Sequence, residues 1–273
     1  MPRLLALLLV LPLAAPAQPW MDAFDPSACP GEAGDTVAVR LVSGYAFRMP
    51  AEAFSVRDPQ PPPDDPALPA YGCPENPIVA RAVTTNLGHT QFLPEGFTPH
   101  RPMRRPVSLT LYGHDGPMAT LRQWVRWVEE GPSRASMSCL PVEGGIMDFC
   151  TGCAKANVVD GIYCRASETG ELHLLEDRGF WARARPGTHL EGEGLPLAAD
   201  CRFNRDDDLT RNFARDCEAT YALGPDLVVV YGYDGNVVTL PMLPAFDLAL
   251  RDWIDSRRAP DLDSPARRSA EGR

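Results

Sequence analysis

Eight cysteines in one chain of 273 residues set the tightest limit on what it can become. They are Cys29, Cys73, Cys139, Cys150, Cys153, Cys164, Cys201 and Cys217. An even number implies disulfides where oxidants prevail, and metal or redox chemistry where thiols stay reduced. The N-terminus decides between the two. Met1-Pro2-Arg3 is followed by Leu4–Leu13, apolar apart from one proline, and then by Ala15-Pro16-Ala17 ahead of Gln18. One positive charge, a short apolar run and an A-x-A site are the parts of a secretory signal peptide. The run is half of the roughly 20 residues a spanning helix needs. Residues 1–17 are therefore expected to be cleaved, with no membrane insertion afterwards. Cys29 lies too far past that site to be a lipid-bearing first residue. Lys155 is the only lysine, and Ala, Pro and Gly are abundant. That bias of GC-rich coding points to a bacterial envelope and a periplasmic or secreted location.

All eight cysteines are thus disulfide candidates, and eight permit 105 pairings. Cys29 and Cys73 stand apart from the rest and suit each other. Cys201 and Cys217 would close a loop around a very polar stretch. The middle four are spaced C-x10-C-x2-C-x10-C, so Cys139 can meet Cys164, or each outer cysteine an inner one. A redox reading of Cys150-Thr151-Gly152-Cys153 needs a helix to lower the first thiol's pKa. Here Val158-Val159-Asp160-Gly161 follows almost at once, a strand-and-turn pattern. A structural zinc site wants a second close pair, which Cys139 and Cys164 do not supply.

The rest of the chain reads as short strands with two helices. Val37, Val39 and Leu41, then Tyr45, Phe47 and Met49, alternate on either side of Gly44, so one bent strand or two short ones are expected. Asp58 to Pro69 (DPQPPPDDPALP) can hold neither helix nor ladder and reads as an exposed extended loop or linker. Ile78–Val83 and Val107–Leu111 suit strands. Leu121, Trp124, Val125 and Val128 share one face of an amphipathic helix stopped by Gly131-Pro132. Residues 133–175 read as short strands broken by turns. Leu227–Tyr231 and Val237–Leu240 flank Asp234-Gly235, a hairpin signal. Pro244 opens a helix carrying Phe246, Ala249, Leu250, Trp253 and Ile254 on one face. YGHDGPMATL (112–121) echoes YGYDGNVVTL (231–240), which two related halves would explain. Trp124, Trp127, Trp181 and Trp253 suit packing rather than a binding platform.

The expected fold is α+β: antiparallel sheet built from hairpins, two or more amphipathic helices, and disulfide staples. The expected organisation is a signal peptide (1–17), an N-terminal half (18–132), a cysteine-rich C-terminal half (133–258) and a disordered tail (259–273).

Chemistry is harder to find. His89, His100, His114, His173 and His189 include no pair at metal-binding helical spacing. His114 adjoins Asp115 on a turn, without a nucleophile beside it. There is no G-x-S-x-G elbow and no phosphate loop. Asn204, Asp206 and Asp208 fit a calcium loop, but Leu209 and Arg215 occupy its turn and bidentate positions. No metal, cofactor or catalytic residue is assigned.

The net charge of −10 excludes nucleic acid as a favourable partner and favours a basic one. The leading expectation is an exported binding protein, an inhibitor or immunity-type partner of another, basic exported protein. The alternative is a periplasmic hydrolase using dispersed carboxylates and a histidine.

Overall fold

The computed structural model describes Cys29 and residues 35–65, 67–97, 105–114, 116–119, 215–235, 237–238 and 242–264, together with the backbone of the strands lying between 138 and 203. The alternating residues near the N-terminus form β1 (Thr36–Leu41) and β2 (Ala46–Pro50), an antiparallel pair in which Val37, Val39, Leu41, Phe47 and Met49 are buried. Gly44 (φ 93°) makes the turn between them, in the left-handed region that side chains disfavour. The second of the two readings, two short strands, is the one found.

β3 (Phe54–Arg57) precedes the proline-rich loop. The apolar run at 78–83 is split in two, as β4 (Ile78–Ala80) and β5 (Ala82–Leu87). β4 lies parallel to β1 and completes a three-stranded sheet, β2-β1-β4, whereas β5 enters a different sheet. The chain changes sheets at Arg81, which is exposed. β6 (Val107–Tyr112) follows, then β7 (Ser138–Pro141), β8 (Met147–Thr151), β9 (Ala156–Val159), β10 (Tyr163–Ala166), β11 (Leu172–Leu174), β12 (Phe180–Ala184), β13 (Ala198–Phe203), β14 (Arg215–Gly224) and β15 (Leu227–Asp234).

The main sheet has nine strands in the order β3-β5-β6-β15-β14-β13-β12-β8-β7. Every neighbouring pair in it is antiparallel. β9, β10 and β11 form a further antiparallel sheet. The class is therefore mixed α+β with mostly antiparallel sheet, as expected. β6 and β15, on opposite sides of position 132, are hydrogen-bonded neighbours from Ser108↔Gly232 to Tyr112↔Val228.

Among the described residues the expected Asp-Gly hairpin is not formed. The hairpin lies one turn earlier, between β14 and β15, closed by Pro225-Asp226 with Gly224 opposite Leu227. Asp226 (φ 58°) takes the left-handed conformation this turn needs, which Asp tolerates better than most residues. After β15 the Asp234 carbonyl accepts the N–H groups of both Val237 and Val238 at 2.9 Å, which curls the chain out of the ladder. Both valines are buried. Their apolar character serves the core rather than strand pairing, an ambiguity that short apolar runs carry. The two YG-x-DG segments accordingly differ. Tyr231 to Asp234 is strand, whereas β6 ends at Tyr112.

The C-terminal helix spans Leu243–Arg257, with proline in its first turn. Leu243, Phe246, Leu250 and Ile254 are buried, each worth about 1.5–3 kcal/mol relative to exposure. Phe246 meets the rings of Tyr231 (6.0 Å) and Phe92 (5.5 Å, edge-on). One apolar cluster joins this helix to β1, β2, β5, β6, β14 and β15. The other expected helix, around Leu121–Val128, lies outside the described residues, although Gly116–Ala119 is helical.

Polarity predicts a disordered tail over 259–273; its described residues, 259–264, instead dock on the β1–β2 hairpin. Ala259 N–H donates to Ala46 O (2.9 Å), Ser264 N–H to Gly44 O (3.0 Å), and Ala46 N–H to the Asp263 carboxylate (2.7 Å). Arg40 Nε reaches Leu262 O at 2.9 Å, and Arg48 pairs with Asp261 at 2.8 Å. Backbone pairing plus buried polar partners supplies the order that composition does not advertise.

Candidate functional site

Asp58 to Pro69 contains prolines at 59, 61, 62, 63, 66 and 69. Proline donates no N–H and restricts the residue before it to extended conformations, so this stretch can form neither a helix nor a strand ladder. Asp58 (φ 47°) turns the chain out of β3, and residues 60–65 are exposed. Among the described residues, Leu68 is one of three large apolar side chains left open to solvent.

The loop's base is pinned on both sides. Gln60 N–H donates to Val79 O of β4 (2.8 Å). The Tyr71 hydroxyl donates to Gln60 O (2.9 Å) and accepts Val79 N–H (3.0 Å), so one oxygen ties the loop's entry to the small sheet. Burial pushes the Tyr71 phenol above its ordinary value, although the Val79 N–H pulls it back, so the donor proton is retained at neutral pH. Asn76, itself buried, donates to Pro69 O (2.9 Å) and holds the loop's exit. Within the loop, Asp65 accepts the N–H groups of Ala67 (2.9 Å, side chain) and Leu68 (3.1 Å, backbone). Cys73 closes the base through its disulfide to Cys29, with Cα atoms 5.3 Å apart. Sequence spacing suggested this pairing; the role of Tyr71 and Asn76 carried no sequence signal beyond their nearness to the loop. Asp58, Asp64 and Asp65 are the charges on the loop, and no cation lies between 58 and 69. The arrangement is a held, donor-poor, anionic surface segment.

Other cysteine positions fall opposite one another in strand register, and Cys217 is disulfide-bonded. Cys201 stands opposite Cys217 on β13 and β14, and Cys139 opposite Cys150 on β7 and β8. Cys164 lies on β10, in the separate three-stranded sheet. Cys153 and the Asn204–Asp208 segment lie outside the described residues.

A second polar cluster sits under the C-terminal helix. Asp247, fully buried, accepts the Tyr231 hydroxyl at 3.0 Å and Arg251 Nε at 2.7 Å. Arg251 also lies over the Tyr221 ring at 4.1 Å. Burial raises the Asp247 carboxyl above its ordinary value, while the Arg251 cation and the donated hydrogen bonds act against that shift. Asp247, Tyr221 and Tyr231 are buried, and Arg251 lies at the cluster's partly exposed edge. The cluster holds the helix to β14 and β15.

The histidines divide similarly. His114 Nδ1 accepts the Gly116 N–H (3.0 Å) and so caps the helical turn that begins there. His89 is buried against the end of β15. Among the described residues no group of three or more His, Cys, Asp or Glu side chains could hold a metal ion. No helix among them is long and apolar enough to cross a membrane.

No family model matches the chain, and no curated protein matches it. It is similar to the solved structure of an immunity protein of the Stenotrophomonas maltophilia type IV secretion system, at 16% identity and a TM-score of 0.45, over 82% of this chain and 94% of that one. That likeness assigns neither family nor function.

Proposed function

We propose that this chain is an exported binding protein of the bacterial envelope, an inhibitor or immunity-type partner that engages another exported protein through the 58–69 loop. One observation carries the reading: an exposed loop held at both ends by Tyr71, Asn76 and the Cys29–Cys73 disulfide. A segment ordered before it meets its partner loses little conformational entropy on binding, which converts contact into affinity. Loops on a rigid sheet are the usual carriers of recognition. The three loop carboxylates and the net charge of −10 favour a basic partner, with association that weakens as salt rises. This class of role matches that of the similar immunity protein, but the reading rests on the loop.

The test is affinity capture from an envelope extract, using the wild type beside a variant whose residues 60–68 are replaced by a Gly/Ser segment of equal length. Specific retention of one basic protein by the wild type alone supports the reading. Equal retention by both, or turnover by the purified protein on a hydrolase panel, refutes it.

A further inference from the structure

His89 opens a short 3-10 turn, His89–Phe92, in the connection between β5 and β6. The turn packs on the C-terminal helix, with the His89 ring 6.3 Å from that of Phe246. The imidazole is 1% exposed, and its Nε2 accepts the backbone N–H of Asp234 at 3.2 Å. Asp234 is the last residue of β15, and its carbonyl anchors the turn into the C-terminal helix. One ring therefore joins two connections that are 145 residues apart in sequence. The bond needs a lone pair on Nε2, so the ring must be neutral with its proton on Nδ1. That Nδ1 is buried with no acceptor among the described residues.

We propose that His89 is an acid-sensitive latch, holding these two connections together while neutral and releasing them when protonated. A second proton makes Nε2 a donor facing the Asp234 N–H, so the bond is lost and a charge is left in the core. The groups around the ring divide clearly. From β15, the Asp234 carboxylate favours the imidazolium, and Tyr233 is packed on Phe246. From the helix, Phe246 is apolar and Asp247 is engaged by Tyr231 and Arg251. The turn itself offers no carboxylate. Burial is the larger effect and lowers the imidazole below its ordinary value of 6.5. With the folded value depressed, the latch is intact above 6.5 and weakens as pH falls from there toward the folded value. Uptake of one proton raises the opening equilibrium by up to about tenfold per pH unit in that window.

Amide hydrogen exchange on the purified protein tests this, read at His89–Phe92, Asp234, Val237 and Val238 at about pH 7.5 and 5, corrected for intrinsic rates. Wild-type protection is expected to fall at the lower pH, by up to about tenfold per pH unit below 6.5. In His89→Gln, whose amide oxygen accepts the same N–H without titrating, it should hold within about threefold. Unchanged wild-type protection, or an equal loss in His89→Gln, overturns the proposal. Should His89→Gln fail to fold, nitrogen NMR of the wild-type imidazole decides. An Nδ1–H tautomer titrating below 6.5 supports the latch, and an Nε2–H tautomer or a higher midpoint overturns it.

Discussion

Asp263 offers the sharpest test of how this fold is closed. Its carboxylate is 1% exposed, accepts Ala46 N–H at 2.7 Å and pairs with Arg258 Nη2 at 3.2 Å. Arg258 keeps only 20% of its side chain exposed and stacks 4.5 Å from the Tyr45 ring centre. Asp263→Ala therefore leaves a half-buried guanidinium without this counter-charge and a buried backbone donor without its acceptor. Removing one member of a buried pair costs about 3–5 kcal/mol, and the residual exposure of Arg258 places this case near 3. The orphaned Ala46 N–H adds about 1 kcal/mol, partly overlapping with the first loss. A fall of about 3–4 kcal/mol corresponds to a Tm lower by roughly 6–16 °C for a domain of this size. Asp263→Asn keeps an acceptor for Ala46 and should lose about half as much. Urea and thermal unfolding followed by circular dichroism would measure both. If Asp263→Ala stays within about 1 kcal/mol of the wild type, the 259–264 segment is an ornament rather than a clasp, and the reasoning fails.

Three further outcomes are expected. Arg251→Met should cost about 3–5 kcal/mol at pH 7, because it leaves the Asp247 carboxylate buried without its cation. Since the Asp247 carboxyl already sits above its ordinary value, losing Arg251 raises it further; a raised folded carboxyl is stabilised by protonation, so the deficit should shrink on acidification in a pH series of urea melts. Gly113→Ala places a Cβ 2.7 Å from Leu41 Cβ and 3.1 Å from Val42 N, neither of which can swing aside, and should destabilise by about 1–3 kcal/mol in the same assay. Cys29→Ser with Cys73→Ser opens a loop of sequence separation 44 and should cost about 4 kcal/mol, with new proteolytic cuts between residues 59 and 69 read by mass spectrometry.

The legible parts of the fold were those with local periodicity. Val37 to Met49 and Val107 to Leu111 alternate because one face of each strand is buried, and Phe246, Leu250 and Ile254 recur at helical spacing for the same reason. β14 carries an alternation of its own: Cys217, Ala219 and Tyr221 are buried, and they alternate with Asp216, Glu218 and Thr220. It identifies the true hairpin partner of β15, whereas the Asp-Gly pair drew attention to the wrong turn. The candidate loop was legible from its prolines. Its anchoring was not, since a tyrosine and an asparagine look the same in sequence whether they hold a loop or face water.

Sequence by itself determined the α+β class and the stretches that must be buried, because hydrophobic burial and proline geometry act over a few consecutive residues. Only the tertiary structure decided that His89, Asp247 and Asp263 lie inside, that Tyr71 pins a loop, and that residues 258–264 dock on the β1–β2 hairpin. A polar side chain is stable in a core only when a distant residue completes its hydrogen bonds. For Asp263 that residue is Ala46, 217 positions away.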